Sequence, residues 1–195
     1  MTKQRKGIIG LGAAVLLAAS AAVGAAPNAE MLSNACAGCH GTKGASAGPS
    51  MPSLAGQNKV AFVEAMKHFK SGERPSTVMG RLAKGYSDEE FEAMAEFFAK
   101  QKPYRPVQKE VDKKLVAEGK KVYDQACKRC HIENGKEFEE NQPVVAGQWL
   151  KYLQIQTAAF QDGSRKISEK KKEKVEKLTP AQWEAMAHYY ASIVK

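Results

Sequence analysis

The sequence lacks strand-like alternation of apolar and polar residues over any useful length, which excludes a sheet-built fold and leaves helices. After residue 26 it also lacks an apolar run approaching the roughly 20 residues that a spanning helix needs, so nothing beyond that point could cross a bilayer. It contains no glycine-rich dinucleotide fingerprint. Cysteine is scarce: there are 4 in 195 residues. All four fall in two copies of one pentapeptide, and none is left over.

Those copies are Cys36-Ala37-Gly38-Cys39-His40 and Cys127-Lys128-Arg129-Cys130-His131. C-x-x-C-H is the attachment signal for c-type haem, in which two thiols form thioethers to the porphyrin and the adjacent histidine becomes the proximal iron ligand. The competing readings are a redox C-x-x-C or a four-ligand zinc site; a histidine directly after both pairs, in an exported chain, speaks against them. Two motifs imply two covalent haems and an electron-transfer protein.

Export is read from the N-terminus. Lys3, Arg5 and Lys6 precede an Ala-rich apolar run from Gly7 to Ala22, and Val23-Gly24-Ala25-Ala26 offers small residues for cleavage, so residues 1–26 read as a signal peptide and the protein as periplasmic. An uncleaved anchor is the rival reading, which the many Ala and Gly residues disfavour. The formal charge is +9, and beyond the signal peptide the basic excess is confined to the second half. Ionised haem propionates would offset much of it, so the charge is not a nucleic-acid footprint. A partner with an acidic docking face is the milder inference.

The second half repeats the first. At an offset of ninety-one residues Gly44 maps to Gly135, Pro52 to Pro143, Ala55-Gly56-Gln57 to Ala146-Gly147-Gln148, Phe69 to Phe160, Gly72 to Gly163 and Arg74 to Arg165. Nearer the end the offset is ninety-two: Phe91 maps to Trp183, Met94 to Met186, Phe97 to Tyr189 and Phe98 to Tyr190. One residue is therefore inserted between Arg165 and Thr179. The reading is an N-terminal domain over 27–101, a proline-stiffened linker over 102–114 and a C-terminal domain over 115–195. Each unit predicts three helices around a haem. Capping signals mark the last helix of each, at Ser87-Asp88-Glu89-Glu90 and at Thr179-Pro180. The expected fold is all-α, two class I cytochrome c domains in tandem. Each has a thin core of its own and should depend on its haem for stability.

His40 and His131 are the expected proximal ligands, with the carbonyls of Pro52 and Pro143 as acceptors for their second ring nitrogen. His68 and His188 read as surface or packing residues. A class I haem usually takes a methionine from the loop before the last helix, and Met79 is placed for that. Met66 and Met94 sit on apolar helix faces and read as core. In the second unit the equivalent of Met79 is position 170 or 171, and both are lysines. Counted back from the last helix, Met79 falls on Lys171, the candidate sixth ligand there. The alternative is that 168–177 is a solvated charged segment and the second iron is five-coordinate or water-ligated.

Several stretches resemble a known family: Cys36 to Thr42, Gly48-Pro49, Phe69 to Glu73, Ser76 to Ser87, and Ala146-Gly147-Gln148-Trp149 are similar to the dihaem cytochrome subunit of flavocytochrome c sulfide dehydrogenase. The haem motifs and the A-G-Q turn are shared with the wider c-four type of dihaem cytochromes. The resemblance implies a partner subunit that carries FAD and oxidises sulfide, and a downstream redox protein; any flavin belongs to that partner, not to this chain. The sequence departs from the family at the second axial position, where the family has methionine. Two other functions stay open: a free dihaem shuttle to a terminal oxidase or reaction centre, and a haem enzyme with a small-molecule site at the second haem.

Overall fold

The computed structural model describes residues 28–194; the signal-peptide reading of residues 1–26 lies outside them. Among the described residues the regular elements are all helical, and no helix is long and apolar enough to cross a membrane.

In the first unit Asn28 caps α1 (Ala29–Asn34) by accepting from the Met31 N–H. The haem motif forms the single turn α2 (Ala37–His40). Next, α3 (Lys59–Ser71) is capped by Asn58 and ends at Gly72, whose φ of 84° is the left-handed conformation that stops a helix. A short α4 (Met79–Ala83) follows, then α5 (Asp88–Ala99), which starts at the full Ser87/Glu90 capping box.

The second unit opens with α6 (Lys113–Val122), capped by Asp112. That is two residues ahead of Leu115, where the apolar pattern begins, because the cap and not the pattern sets the first turn. A π-helical turn, Tyr123–Cys127, runs into the second motif, and α7 (Ile132–Gly135) follows it. Then come α8 (Leu150–Gln161), α9 (Glu169–Val175) and α10 (Pro180–Ala191), the last with the Thr179/Gln182 capping box and Pro180 at its first position. The three helices predicted for each unit are present, with the first of them only six residues long in the first unit. The short α4 and α9 have no apolar stripe long enough to read.

The units have separate cores. Phe91, Met94, Ala95 and Phe98 of α5 pack with Leu32, Phe62, Val63 and Met66. Their repeat partners Trp183, Met186, Ala187 and Tyr190 of α10 pack with Val122, Tyr123, Leu150 and Leu153. Burying each large side chain contributes about 1.5–3 kcal/mol. Helices α6 and α10 cross at Gly119, where a Cβ would stand 2.1 Å from the Ala185 carbonyl oxygen. Only a glycine permits that approach.

The units are joined by a nearly symmetric set of hydrogen bonds. Gln57 donates to the Val144 carbonyl at 2.8 Å and accepts from the Val144 N–H at 3.1 Å. Gln148 donates to the Ser53 carbonyl at 2.8 Å and accepts from the Ser53 N–H at 3.0 Å. Gln57 and Gln148 are repeat equivalents, and so are Ser53 and Val144. Beside them Asn58 donates to the carbonyls of Glu140 and Gln142, and the Trp149 indole donates to the Ser46 carbonyl. The linker runs over this seam. Pro103 lies on Gly56 and Arg105 on Gly147, while Gln108 donates to the carbonyls of Gln148 and Ala191 and accepts from the Leu150 N–H.

Candidate functional site

Each haem motif folds as one tight turn. The Cys36 carbonyl accepts from the N–H groups of Cys39 and His40 at 3.2 and 2.9 Å, and the Cys127 carbonyl accepts from those of Cys130 and His131 at 3.1 and 3.0 Å. That turn brings both thiols and the imidazole of a motif together. The cysteines stand three positions apart, with two residues between them, because a helical turn returns after three to four.

All four cysteines are free thiols. Burial pushes the Cys36 and Cys127 thiols up, so they are held neutral. Among the described residues no three His, Cys, Asp or Glu side chains gather as an ion-binding cluster. The two pairs therefore do not share one four-ligand site.

His40 is buried, and its Nδ1 lies 2.8 Å from the Pro52 carbonyl, the expected acceptor. Donation from Nδ1 fixes the tautomer and leaves Nε2 as the nitrogen available to a metal. Burial lowers the His40 pKa, against a smaller upward pull from Pro52, so the ring is neutral as ligation requires. This donor set, two unpaired thiols one turn apart beside an oriented neutral imidazole, fits a covalent haem.

The second site differs. His131 is buried with Nδ1 lacking a hydrogen-bond partner. The Pro143 carbonyl is close enough to pull its pKa upward, but burial and the nearby Lys171 charge outweigh it and bring the imidazole down to about 4. Aromatic hydroxyls brace this turn: Tyr123 donates to the His131 carbonyl at 2.9 Å and accepts from the Asn134 N–H at 3.0 Å. Tyr190 meets the His131 ring edge-on with centroids 6.0 Å apart. At the equivalent positions of the first unit stand Leu32 for Tyr123 and Phe98 for Tyr190, neither of which carries a hydroxyl.

On the distal side Met79, the first residue of α4, is partly buried against the first core. Lys171 lies on α9, and its Nζ stands 4.3 Å from the centre of the Phe160 ring. Burial, then the charge of Arg165, pulls its pKa down to about 8, while Cys127 opposes them. The lysine head group thus lies on Phe160, which packs against the second core. Met186, the one methionine of that half, places its sulfur 3.4 Å from Cys127 Sγ, as a packing residue of α10.

His188 is a packing residue: it accepts from the Asp112 N–H and pairs with Glu184, both at 3.0 Å. His68 lies at the surface beside Glu73. Sequence reasoning did not single out the interface side chains Gln57, Gln148 and Gln156. The A-G-Q triplet in both halves was the signal available for the first two.

Residues 116–193 match the cytochrome c family, and residues 24–98 match the family described as cytochrome c oxidase, cbb3-type, subunit III. Over 69 residues the chain is 51% identical to the cytochrome subunit of sulfide dehydrogenase of Chlorobaculum tepidum. That match covers 35% of this chain and 62% of the relative, less than two thirds of its length. Over 151 residues it is 32% identical to cytochrome c4 of Azotobacter vinelandii, covering 67% of this chain and 69% of the relative. The crystal structure of reduced recombinant cytochrome c4 from Pseudomonas stutzeri superposes with a TM-score of 0.75 at 25% identity, over 86% of this chain and 100% of that one.

Proposed function

This chain belongs to the family of dihaem c-type cytochromes that includes cytochrome c4, and from that premise we propose that it is the periplasmic electron-transfer subunit of a flavoprotein sulfide dehydrogenase. Cys36, Cys39, His40 and Met79 would hold one haem, and Cys127, Cys130, His131 and Lys171 would hold a second. When bound, haem c supplies one-electron exchange between ferrous and ferric iron.

The polypeptide's work is attachment, orientation and exclusion of water. His40 is oriented by Pro52, the reciprocal glutamine pairs hold the two attachment turns in a fixed relation, and the separate cores cover the two sites. The flavin belongs to the partner subunit, and a further redox protein accepts the electrons downstream.

The observation that carries this reading is the 51% identity to a cytochrome subunit of sulfide dehydrogenase. A free dihaem shuttle is the second reading, favoured by the longer reach of the match to cytochrome c4. Purification from the native source, with the mass and flavin content of each co-purifying chain, separates them. A flavin-containing partner supports the subunit reading, and a haem-only preparation that reduces an oxidase supports the shuttle. Sulfide turnover at enzymatic rates by the isolated chain would overturn both.

A further inference from the structure

The Pro52 carbonyl and the Ser53 N–H are the two ends of one peptide group. The carbonyl end lies 2.8 Å from His40 Nδ1. The N–H end donates to Gln148 Oε1, in the other unit, at 3.0 Å. His40, Ser53 and Gln148 are all buried, with 7%, 2% and 5% of their surface exposed. An amide is a resonant unit, so hydrogen bonding at its nitrogen shifts electron density to its oxygen. In a buried chain of hydrogen bonds such polarisation is strengthened, because no water competes.

We propose that Gln148 is a positioning residue for the first haem, acting across the domain seam through the Pro52–Ser53 peptide to strengthen the acceptor of His40. The inference rests on the reading of His40 as the proximal ligand. A stronger acceptor at Nδ1 makes the imidazole a better donor through Nε2, which favours ferric iron and lowers the reduction potential. The domain that carries the second motif thereby sets part of the potential of the first.

The repeat supplies the control. Gln57 makes the same two bonds to Val144, and the Val144 N–H shares a peptide with Pro143. There the last link is weaker: His131 Nδ1 makes no hydrogen bond of good geometry, although the Pro143 carbonyl is close enough to pull the ring's pKa upward. Gln57→Leu therefore loosens the seam as much as Gln148→Leu while leaving the His40 relay intact.

The test is a spectroelectrochemical titration of the holoprotein for wild type, Gln148→Leu, Gln148→Asn and Gln57→Leu. The steps are assigned through the His40 ring resonances in histidine-labelled protein. Gln148→Asn keeps an amide in the seam but is one methylene too short to reach, so it stands in if the leucine variant does not fold. The expected result is a rise in the first haem's potential in either Gln148 variant, with a shifted His40 Nδ1–H resonance, and no rise in Gln57→Leu. An unmoved potential in the Gln148 variants, or an equal rise in Gln57→Leu, would overturn the relay. The mass of the peptide carrying Cys36 and Cys39 tests the site separately: missing haem there overturns the ligand reading and the relay with it, whereas attached haem with an unmoved potential overturns the relay alone.

Discussion

Arg74 of the first unit and Arg165 of the second, repeat equivalents, converge on one acceptor: Gln156 Oε1 lies 2.7 Å from Arg74 Nη2 and 2.5 Å from Arg165 Nη1. Each guanidinium also lies over its own unit's phenylalanine, Arg74 4.5 Å from the Phe69 ring centre and Arg165 4.4 Å from that of Phe160. Burial, then the neighbouring Arg74 charge, brings Arg165 down to about 10. Two cations held on one neutral oxygen repel, so the shared acceptor matters more than a surface pair would. Gln156→Ala is expected to cost about 1.5–3 kcal/mol, the range for hydrogen bonds to charged groups, measured by urea unfolding of the holoprotein. A loss below about 0.5 kcal/mol would mean that water replaces the amide without penalty.

Gly119→Ala tests the α6 and α10 crossing. Alanine favours a helix over glycine by about 1 kcal/mol, but its Cβ would meet a backbone carbonyl that cannot swing aside. Overpacking of this kind costs about 1–3 kcal/mol or more. The expected outcome is net destabilisation with a perturbed second haem spectrum and an unmoved first one. A stabilised variant would show that the helices can part freely.

Met79→Ala is expected to remove the methionine-ligated ferric absorption band of the first haem and to lower its potential, since a thioether donates weakly and favours ferrous iron. Redox titration with optical detection reads both. An unchanged band and potential would rule out Met79 as ligand.

Lys171→Ala, with Lys170→Ala and Lys172→Ala as controls, is expected to abolish the ferric low-spin signal of the second haem in the Lys171 variant alone. A free lysine with pKa 10.4 would cost about 4–5 kcal/mol to deprotonate at neutral pH, but one at about 8 costs only about 1–2 kcal/mol. The sign follows from the folded pKa lying below the ordinary value: the proton competes with iron at low pH, and that competition fades as pH rises through about 8. Acidification should therefore convert the second haem to high spin before the first. Retention of the low-spin signal in all three variants would exclude lysine ligation.

The attachment turns, the duplication, the main helices of each unit and their capping residues were legible in the sequence. Each of these is local: two thiols and a histidine within five residues, a serine three residues ahead of a glutamate, an apolar stripe at helical spacing. The sequence also placed Pro52 as the acceptor for His40, through the repeat and the behaviour of class I cytochromes. Legible only in three dimensions are the seam contacts of Gln57 and Gln148, the sharing of Gln156 by both arginines, and the poorer geometry of Pro143 at His131 compared with Pro52 at His40. A glutamine in a turn has no sequence signature for the partner it will find some ninety residues away. That partner is set by how two cores pack against each other, and bonding geometry changes over tenths of an ångström.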